Sequence, residues 1–403
     1  MTLTLEVGPV AHGGHCVARH EGRVVFVRHT LPGERVVARL TEDAPTASFW
    51  RADAVEVLEA SPDRVPSVWP EAGPGGVGGG ELAHVALPAQ RRWKADVVAE
   101  QLRRLARTDI PVTVEATPGE TDGLGWRTRI ELSADTAGRA GMHRFRSDEV
   151  VALQAMPLAS TAIEALGIFG RRWPAGSRIT VTAPVGEDRP VVLVDGAPWT
   201  AGGPDSRPNA RSAVREHANV RGHRYTWRVA ASGFWQVHRE APEVLAGAVL
   251  DALGDVAGAT VLDLYSGAGL FTLPLADAVG DGGRVVAVEG DPGAVRDARR
   301  NAHDRPHVEL HLGGVPEVLR GDPVARADVV VLDPPRVGAG REVVDRVAGL
   351  RPGRVVYVAC DPAALARDVA YLAERGYALD TLRAFDLFPM THHVECVATF
   401  APA

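Results

Sequence analysis

The sequence predicts a chain of three parts: a small N-terminal β-barrel, a mixed α+β central region and a C-terminal α/β domain with a parallel sheet. Its 403 residues exceed the usual length of one domain. Residues 1–60 contain only short strand-like runs broken by turn residues. From about residue 239 onward, continuous apolar strands alternate with helical segments. We therefore divide the chain into residues 1–60, 61–230 and 231–403.

The N-terminal part has the strand density of an OB-type barrel. Residues 24–27 and 34–40 are rich in β-forming residues and are separated by the turn sequence Leu31-Pro32-Gly33. Residues 52–58 alternate enough to form another strand. About five short strands in a segment of this length are typical of small barrels, which often bind nucleic acid.

The central part begins with a loop and continues as an α+β domain. Residues 61–90 contain repeated prolines and a glycine cluster, a composition that predicts loop. Apolar side chains at helical spacing then predict a helix over about residues 91–107. Residues 127–133 and 191–194 are predicted strands.

Bulk composition excludes some classes of protein. The net charge of −7 argues against a uniformly basic surface, although binding of nucleic acid depends on local patches. No apolar run is long enough to span a membrane, and the N-terminus lacks the features of a signal peptide. The three cysteines give no disulfide framework. We expect a monomeric cytoplasmic protein without a membrane segment.

The first strand of the C-terminal domain ends in a glycine turn. Residues 260–264 form this strand, and Gly267 and Gly269 then allow a tight turn and a close approach of ligand to backbone. The next strand ends at Glu289, which can accept both ribose hydroxyls of a nucleoside cofactor. An NAD site is the competing interpretation, but the third glycine of the dinucleotide fingerprint is absent because Phe271 and Thr272 follow the pair.

The third strand ends in Asp333-Pro334-Pro335-Arg336. This signature lies where a methyltransferase contacts both its cofactor and a target base, so it favours S-adenosylmethionine over NAD. The alternative is a proline-terminated strand with a solvated aspartate.

Two residues near the end of the chain are candidates for covalent and acid–base chemistry. Cys360 ends the fourth strand, at the edge where open α/β sheets bind ligands. Asp361-Pro362 begins a helix, and we expect its N-terminus to lower the pKa of the thiol. Glu395 lies in an otherwise apolar strand that can return beside the fourth, with Cys396 on the opposite, core-facing side. A buried structural cysteine and a surface glutamate are the alternatives.

These motifs together resemble the bacterial RNA (uracil-5-)methyltransferase family over nearly the whole chain. Residues 1–60, with Gly13-Gly14 and Leu31-Pro32-Gly33-Glu34-Arg35, look like its RNA-binding TRAM domain. The remaining motifs follow in order: Phe234-Trp235-Gln236-Val237, 263–269, Glu289, 333–336, 360–362 with 365–368, and 388–395. The resemblance implies that residues 231–403 form a Rossmann-like class I methyltransferase domain.

The resemblance also implies a role for each matching residue. Cys360 would be the nucleophile and Glu395 the base that removes the C5 proton of a uridine. S-adenosylmethionine would be contacted by Gln236, Asp263, Tyr265, Gly267, Gly269, Glu289 and Asp333. We place the target base against Phe234, Pro334, Arg336 and His393. The partner would be RNA, with ribosomal RNA favoured over transfer RNA.

The sequence departs from the family at several positions. Many members hold a [4Fe–4S] cluster on four cysteines, but residues 68–80 contain none and Met156 stands at the fourth position. We therefore expect no iron–sulfur cluster and no other metal. Asp361 stands where asparagine is common, and Leu270 where a polar residue is often found.

Three other functions remain open at this point. The chain could methylate transfer RNA, or it could methylate an exocyclic nitrogen of a base through the Asp333-Pro334-Pro335 motif. It could also be a non-catalytic RNA-binding protein built on the barrel. A set of basic residues is predicted to follow the RNA path: Arg91, Arg92, Lys94, Arg103, Arg104, Arg127, Arg129, Arg144 and Arg146.

Overall fold

The N-terminal segment forms a closed five-stranded barrel in the computed structural model, which describes residues 1–186 and 188–403. Alternate residues Leu3, Leu5 and Val7 of the first strand point into the barrel core. The predicted OB-type barrel is confirmed. Its strands close in the order β1-β2-β3-β5-β4 and are β1 (Thr2–Ala11), β2 (His15–His20), β3 (Arg23–Arg28), β4 (Arg35–Glu42) and β5 (Phe49–Glu59).

A long helix, α1 (Leu87–Gln101), separates the barrel from the C-terminal sheet and continues in a π turn over Leu102–Ala106. It begins four residues before the predicted start because Pro88 suits a first helical turn. Trp93 and Val97 pack into the core cluster of the barrel, whereas Val98 packs into the C-terminal core. A two-residue strand, β6 (Val114–Glu115), follows.

The central part is built on a seven-stranded antiparallel sheet and a separate hairpin. The short helix α2 (Thr161–Glu164) packs on this sheet through Ile163. The sheet has the order β13-β12-β11-β10-β7-β8-β9, with β7 (Arg129–Ala134), β8 (Ala140–His143), β9 (Val150–Ala152), β10 (Arg178–Thr182), β11 (Val191–Val194), β12 (Ala197–Thr200) and β13 (Gly203–Pro204). The hairpin consists of β14 (Ala213–Val220) and β15 (His223–Ala230).

The C-terminal part is a doubly wound α/β domain. Its eight-stranded sheet has the order β18-β17-β16-β19-β20-β22-β21-β6, and the first five strands are parallel. The elements are α3 (Ala241–Leu253), β16 (Thr260–Leu264), α4 (Thr272–Val279), β17 (Arg284–Glu289), α5 (Pro292–Asn301), β18 (Val308–Leu312), α6 (Val315–Arg320), β19 (Val329–Leu332), α7 (Gly340–Gly349), β20 (Arg354–Ala359), α8 (Pro362–Glu374), β21 (Tyr377–Phe385) and β22 (Glu395–Pro402).

Both faces of this sheet are covered, as the continuous apolar strands predict. Successive residues of β16 enter different cores: Val261 packs with α3 and α4, while Leu262 packs with α7 and α8. The predicted class I methyltransferase fold is confirmed. Within the described residues, no helix has both the length and the apolar character to cross a bilayer.

The division at residues 60 and 230 stays a prediction, because segments of the central part pack outside it. The helix α1 contacts α8, and β6 pairs with β21 at the edge of the C-terminal sheet. The hairpin β14–β15 packs against α5 and α3.

The segments in which the resemblance places the cluster cysteines are packed together by apolar side chains. Trp69, Ala72, Val77 and Met156 are all buried in one hydrophobic cluster of the central part. In the described part of the chain, no group of three or more His, Cys, Asp or Glu residues is arranged to hold a metal ion.

Candidate active site

The turn after β16 is left-handed at three positions. Tyr265, Gly267 and Gly269 have φ values of 65°, 56° and 94°; of these, only the tyrosine carries a side chain that disfavours this region. Two side chains hold the turn from outside, since Trp227 Nε1 donates to the Gly269 carbonyl at 2.9 Å and Asn301 Nδ2 donates to the Ala268 carbonyl at 2.9 Å. The hairpin and α5 thus fix the backbone that faces the predicted cofactor.

The carboxylate of Glu289 is fixed at the end of β17. Its two oxygens accept hydrogen bonds from the Gly267 amide at 2.9 Å and the Asp291 amide at 2.6 Å. Each oxygen keeps a further lone pair for a hydroxyl donor. The geometry fits the predicted contact with a ribose.

Buried polar atoms without partners lie beside the same turn. Asp263 accepts a hydrogen bond from the Thr272 hydroxyl at 2.5 Å, but its other oxygen and the Ser266 hydroxyl have none among the described residues. Burial, and secondarily the charge of Glu289, raise the pKa of Asp263 to about 7. Unsatisfied buried polar groups cost free energy, so these atoms suit a polar ligand that enters the turn. Three acidic side chains, Asp263, Glu289 and Asp333, further suit a cofactor that carries positive charge.

The candidate catalytic residues meet at the carboxyl edge of the sheet. Cys360 follows β20, and the register that pairs Ala359 with Cys396 brings Glu395 to the level of Cys360. Asp333 follows the neighbouring strand β19, and its amide donates to the Leu264 carbonyl at 3.2 Å beside the glycine turn. Four strands therefore bring the candidate nucleophile, the candidate base and the turn predicted to bind the cofactor to one edge of the sheet.

The expectation that the Cys360 thiol has a lowered pKa is wrong. Burial, followed by the charges of Glu395 and Asp333, raises the pKa of the Cys360 thiol to about 12, and Arg336 opposes this rise. The helix N-terminus does not help because Asp361 occupies it: its Oδ1 accepts the amides of Ala363 at 3.0 Å and Ala364 at 2.8 Å. The Asp361 carboxylate therefore already interacts with the positive end of the helix dipole, and this end does not lower the pKa of the thiol.

The two carboxyl groups beside the thiol also have raised pKa values. Burial, and then the charge of Asp333, raise the pKa of Glu395 well above its usual range, while Arg336 lowers it. Burial, and then the charge of Asp263, raise the pKa of Asp333 to about 7. Arg336 is the cation that favours the charged forms of both Cys360 and Glu395.

The loop that carries Arg336 is held from α8. Asp368 is buried, and its Oδ2 accepts the Ala339 amide at 2.8 Å, the Gly340 amide at 3.1 Å and the Tyr357 hydroxyl at 2.7 Å. The neighbouring Arg367 donates to the Val337 carbonyl at 2.5 Å. These contacts give a structural role to two residues of the 365–368 motif.

The loop before Glu395 is held from α1, which the sequence did not predict. Lys94 is fully buried, and its ammonium donates to Asp386 at 2.5 Å and to the Phe388 carbonyl at 2.9 Å. One turn earlier, the Gln90 side-chain carbonyl accepts the amide of Met390, which has a left-handed φ of 67°. The expectation that Lys94 follows the RNA path is therefore wrong. Arg129 is likewise buried and paired with Glu216 at 3.1 Å.

The residues predicted to contact the base lie on different segments of the chain and differ in exposure. The Arg336 guanidinium lies 3.3 Å from His393 Nε2, and Pro334, two residues earlier in the same loop, is buried. Phe234 is 74% exposed and Gln236 is buried, both on the segment between β15 and α3. Their contacts with base and cofactor stay predictions.

The structure brings residues of the barrel and of the 61–86 loop to the candidate site. The sequence did not predict them, because they lie far from Cys360 along the chain. His12 Nε2 lies 3.1 Å from Asp361 Oδ2, one residue after the nucleophile. Glu81 lies 3.4 Å from His392 Nδ1, and the ring centroid of His392 lies 4.1 Å from that of His393. The sequence drew attention to Gly13-Gly14, Asp361 and His393, but no sequence signal identified His12 or Glu81.

Comparison with known protein families matches both ends of the chain. Residues 324–401 match the family described as tRNA (Uracil-5-)-methyltransferase, and residues 1–55 match the TRAM domain. The first match contains Asp333, Cys360 and Glu395.

Relatives align along almost the entire sequence. An RNA methyltransferase of Streptomyces coelicolor is 47% identical over 99% of this chain and 92% of its own length. The 23S rRNA (uracil(1939)-C(5))-methyltransferase of Shewanella amazonensis is 30% identical over 99% of this chain and 95% of its own length. The tRNA (uracil-54, C5)-methyltransferase of Pyrococcus abyssi, solved with S-adenosyl-L-homocysteine, has the same fold, with a TM-score of 0.70, 22% identity and coverage of 98% and 99% of the two chains.

Proposed function

This chain belongs to the family of RNA (uracil-5-)methyltransferases, and we propose that it methylates C5 of a uridine in ribosomal RNA through a covalent bond between Cys360 and C6. One observation carries the proposal. Three groups meet at the sheet edge beside the glycine turn: the half-buried thiol of Cys360, the buried carboxyl group of Glu395 and the guanidinium of Arg336.

The chemistry requires these residue types. C5 of uracil is too electron-poor to attack a methyl donor unaided. A bond from the Cys360 sulfur to C6 turns the ring into an enolate whose C5 is nucleophilic. S-adenosylmethionine, the cofactor of this family, supplies an electrophilic methyl group when bound. Glu395 then accepts the C5 proton, so that the carbon–sulfur bond breaks and the ring regains its double bond.

The electrostatics of the site disfavours the ionised side chains that the proposed reaction needs. Burial raises the pKa of both Cys360 and Glu395, which favours the protonated form of each side chain in the RNA-free protein. Cys360 must release its proton to solvent before its sulfur bonds to C6, and Glu395 must be ionised before it can accept the C5 proton. Arg336 supplies positive charge that favours both anions.

The target base must leave its stack to reach this edge, because C6 of a paired uracil is inaccessible to a side chain. Phe234 is an exposed aromatic ring that could stack on a displaced base. The TRAM barrel provides a second platform for RNA.

Ribosomal RNA is the substrate that the relatives favour. The relative from Shewanella amazonensis acts on 23S rRNA and aligns with 99% of this chain. The protein from Pyrococcus abyssi acts on tRNA, but its 22% identity supports the fold alone. We propose that the protein acts as a monomer in the cytoplasm.

Mass-spectrometric mapping of 5-methyluridine tests the substrate. Ribosomal and transfer RNA are prepared from cells with and without the gene. We expect loss of 5-methyluridine from 23S rRNA alone. A loss confined to transfer RNA would identify that RNA as the substrate instead.

The variant Cys360→Ala tests the covalent route. We expect it to bind S-adenosylmethionine in calorimetry but to form no 5-methyluridine. Retained methylation, or a methyl group on an exocyclic nitrogen, would favour the amino-methyltransferase alternative. If the wild-type protein fails to bind the cofactor, the non-catalytic RNA-binding alternative gains support.

A further inference from the structure

The turn between β1 and β2 places the barrel directly against the catalytic edge. His12 Nε2 lies 3.1 Å from Asp361 Oδ2. At Gly14, whose φ is 78°, an added Cβ would come within 3.2 Å of His392 Cβ and 3.3 Å of Glu81 Cβ. The glycine thus allows the turn to approach the loop that leads to Glu395.

Asp361 uses its two oxygens for different tasks. Oδ1 accepts two backbone amides at the start of α8, and Oδ2 contacts His12. The residue directly follows Cys360, and its negative charge is one of the causes that raise the pKa of the thiol. A negative charge next to the nucleophile opposes formation of the thiolate.

His12 is suited to offset that charge. Its hydrogen bond with Asp361 is the main cause that raises the pKa of the imidazole above 6.5. Burial opposes the rise, and the charges of Asp361 and Glu100 assist it. The same contact lowers the pKa of Asp361. Both side chains stay partly exposed, at 36% for His12 and 25% for Asp361, so solvent screens the pair and its effect is modest.

We propose that His12 is a positioning residue of the barrel that acts through Asp361: its imidazolium offsets the carboxylate beside Cys360 and makes the thiolate easier to form. This inference rests on the proposed function only for its use in methylation. The proposed role links the position of the RNA-binding barrel to the reactivity of Cys360. The His12 imidazolium is next to Asp361 only when the β1–β2 turn lies against the catalytic edge.

The pH dependence has a definite sign. The pKa of His12 in the folded protein lies above 6.5, so the ion pair is complete at acidic pH and disappears as the pH rises through that raised value. The contribution of His12 to thiol reactivity should therefore be greatest below pH 6.5 and fade as the pH rises through the raised value.

The experiment measures alkylation of Cys360 by iodoacetamide, followed by mass spectrometry of its peptide, in the full-length RNA-free protein. The variants are His12→Gln, His12→Arg, Asp361→Asn and the double variant His12→Gln with Asp361→Asn. Asparagine retains the oxygen that begins α8 and is a good N-cap, so Asp361→Asn removes the charge with little change in the helix.

We expect His12→Gln to slow alkylation about two- to fivefold at pH 7, the range of a partly exposed ion pair, and to slow it less at pH 9. His12→Arg should keep the wild-type rate at pH 7 and exceed it at pH 9. Asp361→Asn should react at least as fast as wild type, and adding His12→Gln to it should change nothing further. A purely structural role of His12 would instead give losses that add in the double variant.

The same variants are then assayed for 5-methyluridine formation in a single turnover on RNA. Unchanged alkylation in His12→Gln at pH 7 overturns the inference, whatever the methylation result. If the alkylation pattern is as expected but the wild-type protein makes no 5-methyluridine, the proposed function fails and the inferred role of His12 in tuning the thiol remains.

Discussion

The thiol of Cys360 should be unusually unreactive in the RNA-free protein. Its pKa of about 12, against 9.0 for an ordinary cysteine, lowers the thiolate fraction about a thousandfold at any pH well below 9. A more basic thiolate is a better nucleophile, and a Brønsted slope of about 0.4–0.5 recovers roughly 20-fold of this loss. We therefore expect Cys360 to react with iodoacetamide about 50-fold more slowly than the same residue in unfolded protein.

The rates are measured by mass spectrometry of the Cys360 peptide between pH 7 and pH 10. The rate should rise about tenfold for each unit of pH, since the thiolate fraction grows in that proportion below the pKa. The protein unfolded in urea is the matched control, and there the rate should level off near pH 9. Cys16 and Cys396 are fully buried and should remain unlabelled in the folded state. A plateau below pH 9 in the folded protein would refute the reasoning.

Three further predictions concern other parts of the molecule. Glu395→Gln should accumulate a protein–RNA adduct that survives denaturation, because the C5 proton cannot be removed; free RNA alone on a denaturing gel would contradict this. Lys94→Met should lower the free energy of unfolding by about 3–5 kcal/mol, because Asp386 is left buried and unpaired. A urea titration measures the change, and adding Asp386→Leu should recover most of the lost free energy. Metal analysis of purified protein should find no stoichiometric iron, since apolar residues such as Met156 fill the region of the expected ligands; iron at four atoms per chain would disprove the prediction.

The order of motifs along the chain was sufficient to predict the family, because each motif combines a strand end with residues of a particular chemistry. The strands Thr260–Leu264 and Val191–Val194 were predicted with the bounds that the structure gives. Local signals also identified Cys360 and Asp333 as candidates, since a polar side chain after a buried parallel strand lies at the edge where ligands bind. Glu395 was a candidate because it is a carboxylate in an otherwise apolar strand.

Other features depend on contacts between residues far apart in sequence. The pKa of Cys360 could not be predicted from its place before a helix, because burial of the thiol and then the charges of Glu395 and Asp333 raise it only once three strands have paired. The role of Lys94 depends on Asp386, which lies 292 positions later in the chain.

The sequence by itself determined the alternation of strands and helices in the C-terminal domain and the sheet edge that carries the candidate catalytic residues, because hydrophobic periodicity and strand ends are local properties. Only the tertiary structure decided the order of the central sheet, which charges surround Cys360 and which helices hold the loops that lead to Arg336 and Glu395. Coulombic and hydrogen-bond energies depend on distance in space, and the chain must fold before His12 and Asp361 can meet.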